Sequence, residues 1–556
     1  MSNVEKIKTE SRHLRGTLDK SLVNQITGSI PENDQTVIKF HGIYQQDDRD
    51  RREERAEKKL EKLYSFMLRL RIAGGKITGK QWLGIDEIAN KNSTGTIKIT
   101  TRQTIQLHGV IKSKLKPTLA WFDKYGLDSI AACGDVNRNV MATSAIEENE
   151  AFQEVYEFSS KISDHLLPKT RAFHEIWLDE EKLTEEQIAE PDPLYKEAYL
   201  PRKFKIVIAI PPHNDVDLFA HDIGLIAVIE DGILQGFNIS VGGGMGATHG
   251  NPETYPRIGD VIGFVKKEHI LDTTFQIATI QRDFGNREER KLSRFKYTIA
   301  KHGIEWFVGE LEKRLGFKLE KTKPFKLNKR GDEYGWKQDY KGNYHNIIFV
   351  ESGRIYDTDS QKFKTAFLEI AQQNLGNFRF TNNQNIIVSD VAPKNKDAVT
   401  AILKKHNISS DDLSPIRLNA IACVALNTCT LAMAEGQRYL PSLITKIEVI
   451  LTKHGLSHDP ITIRMTGCPN GCGRPYLAEI GLVGKSLGKY NLLLAGDRFG
   501  ERLNQLYKES LNEEQILCEL DQLFAKYAQN RLKDETFGDF TLKTLFEQPL
   551  ENKNDE

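Results

Sequence analysis

No run of 18 or more apolar residues occurs in the chain, so no segment reads as a membrane-spanning helix. The start, MSNVEKIKTESRHLRG, is charged and lacks the apolar core of a secretory signal or the look of a transit peptide, so a cytoplasmic protein is expected. Net charge is missing as well. Lysine and arginine together number 77, as do aspartate and glutamate, which leaves no global field to recruit nucleic acid or an anionic membrane. Any anion site must therefore be local. VGGG at 241–244 lacks the G-x-G-x-x-G spacing, and no other segment looks built for a nicotinamide or flavin. Cysteine is scarce, at six in 556 residues, yet four of the six fall within a 50-residue window. In a reduced compartment such clustering favours metal ligation over disulfides.

What is present describes a large globular protein. With 39% hydrophobic and 28% charged residues the chain can bury a sizeable interior, and its length calls for several lobes; only the ends read as disordered. The run from Asp47 to Lys62, DDRDRREERAEKKLEK, reads as a solvated helical face that closes an N-terminal arm. Beyond it the chain echoes itself. Residues 95–107, GTIKITTRQTIQL, match residues 376–388, GNFRFTNNQNIIV, 281 positions later, and each follows a helix-like segment ending in Ile-Ala. Both copies alternate like a strand, break at a polar turn and resume as a second strand. A second echo pairs GFNISVGGG from Gly236 with KYNLLLAGD from Lys489. Two echoes in the same order imply a duplicated α+β architecture, each copy a small half-domain followed by a larger lobe, with pseudo-twofold character.

The strongest chemistry is CVALNTC, Cys423 to Cys429, followed after 38 residues by CPNGC, Cys468 to Cys472. Four thiolates match the four irons of a cubane cluster, one ligand for each soft metal centre. Zinc knuckles place two to four residues between the cysteines of both pairs, and the five-residue gap in the first pair speaks against zinc. Gly467, Gly471 and Gly473 allow tight backbone approach and leave N–H groups to donate to cluster sulfur.

The segment MTGCPNGCGR, Met465 to Arg474, resembles the sirohaem and 4Fe-4S signature of the sulfite and nitrite reductase family. HGIYQQDDRD from His41, TRQTIQLHG from Thr101, VNRNV from Val136, LPRKFK from Leu200, VGGG from Val241 and AEIGLVGK from Ala478 extend the likeness in family order over nearly the whole chain. The resemblance implies paired ferredoxin-like halves and two larger sirohaem and cluster lobes. It divides the chain into an arm (1–62), a first half (63–134), a first lobe (135–345), a second half (346–414) and a second lobe (415–556). It implies a 4Fe-4S cluster on Cys423, Cys429, Cys468 and Cys472, with Cys472 also the axial ligand of the sirohaem iron. Cys133 and Cys518 match no ligand position and read as ordinary buried thiols.

The same resemblance implies reduction of sulfite to sulfide, which supplies sulfate assimilation and cysteine biosynthesis, with reduction of nitrite to ammonia as the alternative within the family. A non-catalytic iron-sulfur electron carrier is the reading from another class. Arg71, Arg138, Lys203 and Lys205 carry over as the cage for the small anion, and the chemistry agrees in type: guanidinium forks bind oxyanions and a desolvated lysine can donate a proton. Sirohaem is a polyanion, for which Arg102 and Gln106 are the matched partners and Arg290, Arg294 and Lys296 in ERKLSRFK the further ones; a solvated helix face is the alternative for that run. The duplicate holds Asn383 and Ile387 where the first copy holds Arg102 and Gln106, so only one copy kept the cofactor contact. LRGTL from Leu14 and HGIYQQDDRD place the chain nearer the bacterial NADPH-dependent branch, whose NADPH, FAD and FMN enter only through a partner flavoprotein alpha subunit. Thr430, where the family often places proline, and Asn427 depart from the pattern beside a ligand.

Overall fold

The computed structural model describes residues 2–184 and 192–547; the ends read as disordered, residue 1 and 548–556, lie outside the described residues. Two compact units form. The first comprises residues up to 244 with 259–411, and the second 245–258 with the chain from 412 onward.

The first echo becomes two five-stranded antiparallel sheets in the first unit. One runs Ile43–Asp47, Tyr64–Arg69, Ile105–Val110, Ile97–Ile99, Arg354–Ile355; the other runs Gly335–Gln338, Tyr344–Ile348, Ile386–Val391, Asn377–Phe380, Lys76–Ile77. The last strand of each belongs to the other copy. Lys76–Ile77 pairs with Phe378 and Arg379, and Arg354–Ile355 pairs with Ile97 and Lys98. The exchange requires a sharp bend before each donated strand, and glycine provides it twice. Gly75 (φ 79°) would place a Cβ 2.6 Å from the Phe380 carbonyl, and Gly353 (φ 65°) would place one 2.5 Å from that of Ile99. Helix Gly79–Asn92 opens on a Thr78 and Gln81 capping box and buries Trp82, Ile85, Ile88 and Ala89. Its twin, Phe363–Gln372, buries Ala366, Phe367, Ile370 and Ala371, and the two meet where Trp82 stands edge-on to Phe367 at 5.5 Å. The run from Asp47 is only partly helical: Asp47 ends a strand, its buried carboxylate bound by Arg52, and the helix spans Arg52–Glu57. The arm therefore ends by supplying an edge strand.

The second echo lies in two further sheets with one topology. In the first unit Met141–Ala142, Ile206–Ala209 and Ile223–Glu230 run parallel, then Ile233–Val241 and Asp260–Lys266 turn back antiparallel. In the second unit Ala420–Ala422, Ile463–Thr466 and Ile480–Ser486 run parallel, and Lys489–Leu494 and Gln505–Leu511 turn back. Helix Glu150–His165 carries the first parallel crossover of the one sheet, and Leu440–Lys453 that of the other. In the second unit Leu443, Ile444, Ile447 and Leu451 pack with Ile463, Leu482, Leu492, Leu520 and Phe524 as a core of its own. No helix of the described residues is long and apolar enough to cross a membrane.

Gly353→Ala should lower the first thermal transition by calorimetry. A left-handed non-glycine residue costs about 1–2 kcal/mol and the overlap with the Ile99 carbonyl about 1–3 kcal/mol more. An unchanged midpoint would show that the donated strand does not depend on this bend.

Candidate functional site

The four clustered cysteines lie in the second unit at the carboxyl ends of two parallel strands. Cys423 follows Ala420–Ala422 and Cys468 follows Ile463–Thr466, with the Cys423 amide donating to the Met465 carbonyl at 3.2 Å. The loops pack against each other closely enough to require glycine. A Cβ on Gly467 would lie 2.6 Å from that of Ala425, and one on Gly473 would lie 2.6 Å from the Met465 carbonyl. Donors point at sulfur as well: Gly467 N–H to Cys423 Sγ at 3.3 Å, the Thr466 hydroxyl to the same sulfur at 3.5 Å, and Asn470 Nδ2 to Cys468 Sγ at 3.5 Å. Gly471 N–H goes instead to the Cys468 carbonyl. Burial and the neighbouring Cys472 charge push the Cys423 thiol up to about 12 and the Cys468 thiol to about 11. Positive charge from a metal centre would favour the ionised form of both. Among the described residues no three His, Cys, Asp or Glu side chains converge to hold one ion. A mononuclear zinc site needs that convergence; a cubane, in which each thiolate binds a different iron, does not. The donor set and the sulfur-directed N–H groups fit the cluster.

The cations lie in the first unit. Lys205 is depressed well below an ordinary lysine, by burial first and then by Arg102, Lys203 and Arg294, with Asp222 opposing. That interaction brings Arg102 and Arg294, far apart in the chain, to the segment that holds Lys203 and Lys205. Arg102 sits in the polar turn of the first small sheet and donates from Nη2 to the Asn139 carbonyl. Arg294 holds Asp222 at 3.0 Å, and Lys296, fully buried, donates to the Gly244 carbonyl at 3.1 Å. A Cβ on Gly244 would lie 3.1 Å from Lys296 Cδ and 3.2 Å from Arg294 Nη2, so the chain there is bare for close approach. Such a cluster fits a polycarboxylate. The run at 289–296 is accordingly solvated only at its start, where Glu289 and Lys291 are exposed, and buried from Ser293 to Lys296. Its Arg290 belongs to another group, bidentate on Asp135 at 2.9 and 3.1 Å, where Lys8 and Arg202 also stand. The bare chain at Gly243 meets the backbone of Phe219 and His221.

Two assignments look different in three dimensions. Arg71 turns its guanidinium to Asp128 at 2.7 and 3.0 Å and to Asp164 at 2.7 Å, so its fork is committed to carboxylates. Arg69, which sequence reasoning passed over, stands instead with Arg138 and Arg202 around Tyr44. The Gln106 amide, its oxygen toward Arg69 Nε at 2.9 Å and its nitrogen toward His108 at 3.2 Å, serves Arg69. LRLR offered two arginines, and only the end of strand Tyr64–Arg69 decides between them. Cys133 is buried as expected, but Cys518 is exposed: on helix Glu513–Asn530 it lies off the buried Ile516, Leu520 and Leu523 face.

Strand register aligns the two larger lobes residue by residue. Ile206 pairs with Ile223 as Ile463 pairs with Ile480, and Ala142 pairs with Ile208 as Ala422 pairs with Met465. Both loops then enter a short helix through a left-handed residue, Asp217 in one and Arg474 in the other. Cys423, Cys468 and Cys472 thus match Thr143, Pro211 and Asp215, and Thr143 donates to Asp215 at 2.8 Å where two thiolates stand in the duplicate. Lys205 matches Thr462 and Asp222 matches Glu479, which accepts from Thr462 N–H at 2.8 Å and Gly538 N–H at 3.0 Å. Thiolates survive in one lobe and the cations in the other.

A family model described as the nitrite and sulphite reductase 4Fe-4S domain matches residues 157–319. One described as the nitrite/sulfite reductase ferredoxin-like half domain matches twice, at 58–124 and 337–406. The chain belongs to the nitrite and sulphite reductase family. Among its relatives is a Leptospira biflexa protein named sulfite reductase (NADPH) hemoprotein beta-component, 60% identical over 538 residues, which are 96% of this chain and 97% of that protein. A protein of the same name from Shewanella sp. strain ANA-3 is 52% identical over 97% of this chain and 96% of that one. The solved structure of Mycobacterium tuberculosis NirA shares the fold, with a TM-score of 0.76 at 23% identity over 96% of this chain and 94% of that one.

Asp135→Asn should cost about 1–3 kcal/mol, because it removes the bidentate partner of Arg290 and one of the two carboxylates on buried Lys8, which keeps Glu5 at 2.5 Å. Those cations hold the Asp135 carboxyl far below its ordinary range. The native stabilisation is therefore complete above that range and fades only as pH falls well below it, whereas acid titration of the variant should lack that step. Coincident acid-unfolding curves would contradict this.

Proposed function

We propose that the protein catalyses the six-electron reduction of sulfite to sulfide at a sirohaem joined to a 4Fe-4S cluster, in the cytoplasm, as part of sulfate assimilation toward cysteine. Its electrons come from NADPH through the FAD and FMN of a partner flavoprotein, for which the name of the relatives, a beta-component, is the support. The observation that carries the reading is the division between duplicated lobes: soft thiolates at Cys423, Cys468 and Cys472 in one, and Lys205 and Arg294 beside Asp222 in the other. An electron carrier alone would need only the first set. The five-part division of the chain set out above belongs to the same proposal.

When bound, the two groups would supply single electrons and an iron for the sulfur atom; Cys423, Cys429, Cys468 and Cys472 would hold the cluster, and Cys472 would also serve the sirohaem. The residues of this chain do the remainder. Arg102, Arg294 and Lys296 hold carboxylates of the tetrapyrrole, with Gln106 and Arg290 acting through Arg69 and Asp135. Arg138 and Lys203 hold the anion together with Arg69, and Arg71 braces the segment at Asp128 behind them. Lys205, desolvated and crowded by cations, gives up a proton more readily than an exposed lysine. Nitrite meets the same charges, so the anions are to be compared directly.

The deciding experiment is absorption and electron-resonance spectroscopy of the anaerobic protein with and without sulfite, followed by turnover of sulfite and nitrite with one artificial reductant. Coupled centres, a spectral response to sulfite and faster sulfide formation are expected. Cys472→Ser should separate the two centres magnetically and abolish sulfide formation; native turnover in that variant would overturn the assignment. Sulfite binding should weaken with rising pH below the ordinary lysine range, as Lys205 loses its proton, and Lys205→Arg should remove that step. Identical binding profiles in the two proteins would exclude Lys205 from the cage.

A further inference from the structure

The tight turn at Ala132, Cys133 and Gly134 holds two guanidinium groups at once. The carbonyls of Gly134 and Ala132 accept from Arg138 Nε at 2.7 Å and Nη1 at 3.4 Å. Between them in sequence, Cys133 Sγ accepts from Arg69 Nη1 at 3.2 Å. The turn is itself fixed. Ala131 N–H bonds to the Phe40 carbonyl at 2.8 Å, and Gly134 (φ 91°) lies where a Cβ would meet the Phe40 ring at 2.8 Å. Cys133 is fully buried, so its sulfur has neither water to exchange with nor room to swing away.

We propose that Cys133 is a positioning residue for anion binding: its sulfur fixes the Arg69 guanidinium beside that of Arg138. The inference rests on the function proposed above. Donor counting shows what the arrangement leaves. A guanidinium has five N–H donors. On Arg69 three are spent, one toward Cys133 and two toward the Gln106 oxygen, which takes Nε at 2.9 Å together with Nη2; on Arg138 two go to the turn. The N–H groups that stay available belong to two forks whose backs are both pinned, which is what presentation of a paired oxyanion cradle requires. The Tyr44 phenol feels Cys133, Arg138, Arg69 and Arg202 together, so the four groups share one neighbourhood. Sulfur suits the task. It is a weak, large acceptor that orients Arg69, whereas Arg71 is held by the carboxylate of Asp128.

The test is calorimetric titration of the oxidised holoprotein with sulfite, run beside steady-state kinetics and measurement of cofactor content. Cys133→Ala should weaken sulfite binding about 5- to 10-fold and raise KM by a similar factor. Its kcat should move less, and sirohaem and iron content should stay native. Cys133→Ser, whose hydroxyl can accept from Arg69, should recover most of the affinity. In an Arg69→Ala background the Cys133→Ala change should have no further effect, since the sulfur acts through that arginine. Native affinity in Cys133→Ala, or losses that add in the double variant, would overturn the inference. Absence of sulfite binding by the native protein would instead overturn the function on which it rests. If Cys133→Ala folds poorly, the serine variant decides: affinity as low as that of Arg69→Ala counts against a role for the acceptor atom.

Discussion

The reciprocal exchange of two short strands is the constraint on which the first unit depends. Lys76–Ile77 completes the sheet of the second copy and Arg354–Ile355 that of the first, so neither half-domain has a finished edge without the other. The bends that allow it, at Gly75 and Gly353, press on the last carbonyl of the strand that each donated strand pairs with, and each leaves no space for a side chain. The polar turn carrying Arg102 follows one of those strand ends and the turn carrying Asn383 follows the other. The placement of the turn that carries Arg102 is thus a consequence of the exchange.

Duplication also explains how opposite chemistries share one chain. A cluster needs soft anionic sulfur with N–H groups around it, and a polycarboxylate needs cations; mixing both in one loop would pair them with each other. With two copies of the same ladder the demands separate. Asp222 keeps Arg294 in the first lobe, whereas Glu479 at the matching place is satisfied by backbone and a threonine. Thr143 and Asp215 bond each other where Cys423 and Cys472 stand in the duplicate. Each lobe has replaced the residues it does not use by a pair that closes its own hydrogen bonds, because a lone buried carboxylate or cation is too costly to keep.

Much of this was legible in the sequence because it is local. CVALNTC and CPNGC announce themselves by spacing, and the alternation in GTIKITTRQTIQL and GNFRFTNNQNIIV marks the same pair of strands twice. What stayed hidden depends on which way a side chain leaves the backbone. Nothing in LRLR says that Arg71 will find Asp128 while Arg69 joins Tyr44, residues that become neighbours only through antiparallel pairing of Tyr44 with Met67. The burial of Lys296 was equally unreadable, since ERKLSRFK has the composition of a wet helix and is folded inward by Phe295 and Phe307. Cys518 misled in the other direction: a cysteine is buried more often than not, yet this one falls on the outer face of an amphipathic helix.

The buried cations bear on how the protein is assembled. Removing a charge from water costs several kcal/mol even after relaxation, and Lys205 loses proton affinity because burial and three cations outweigh Asp222. Crowding of this kind is uphill for the polypeptide by itself and becomes favourable once a ligand with many carboxylates fills the space. The thiols obey the same rule with the sign reversed: burial and a neighbouring cysteine make Cys423 and Cys468 resist ionisation, which a bound cation would relieve. Binding energy of either group is therefore folding energy for its own unit. A ligand present at a thousand times its dissociation constant adds about 4 kcal/mol, comparable to the cost of a crowded buried charge. Each unit holds its own unfinished charge distribution, completed when the missing charge is supplied.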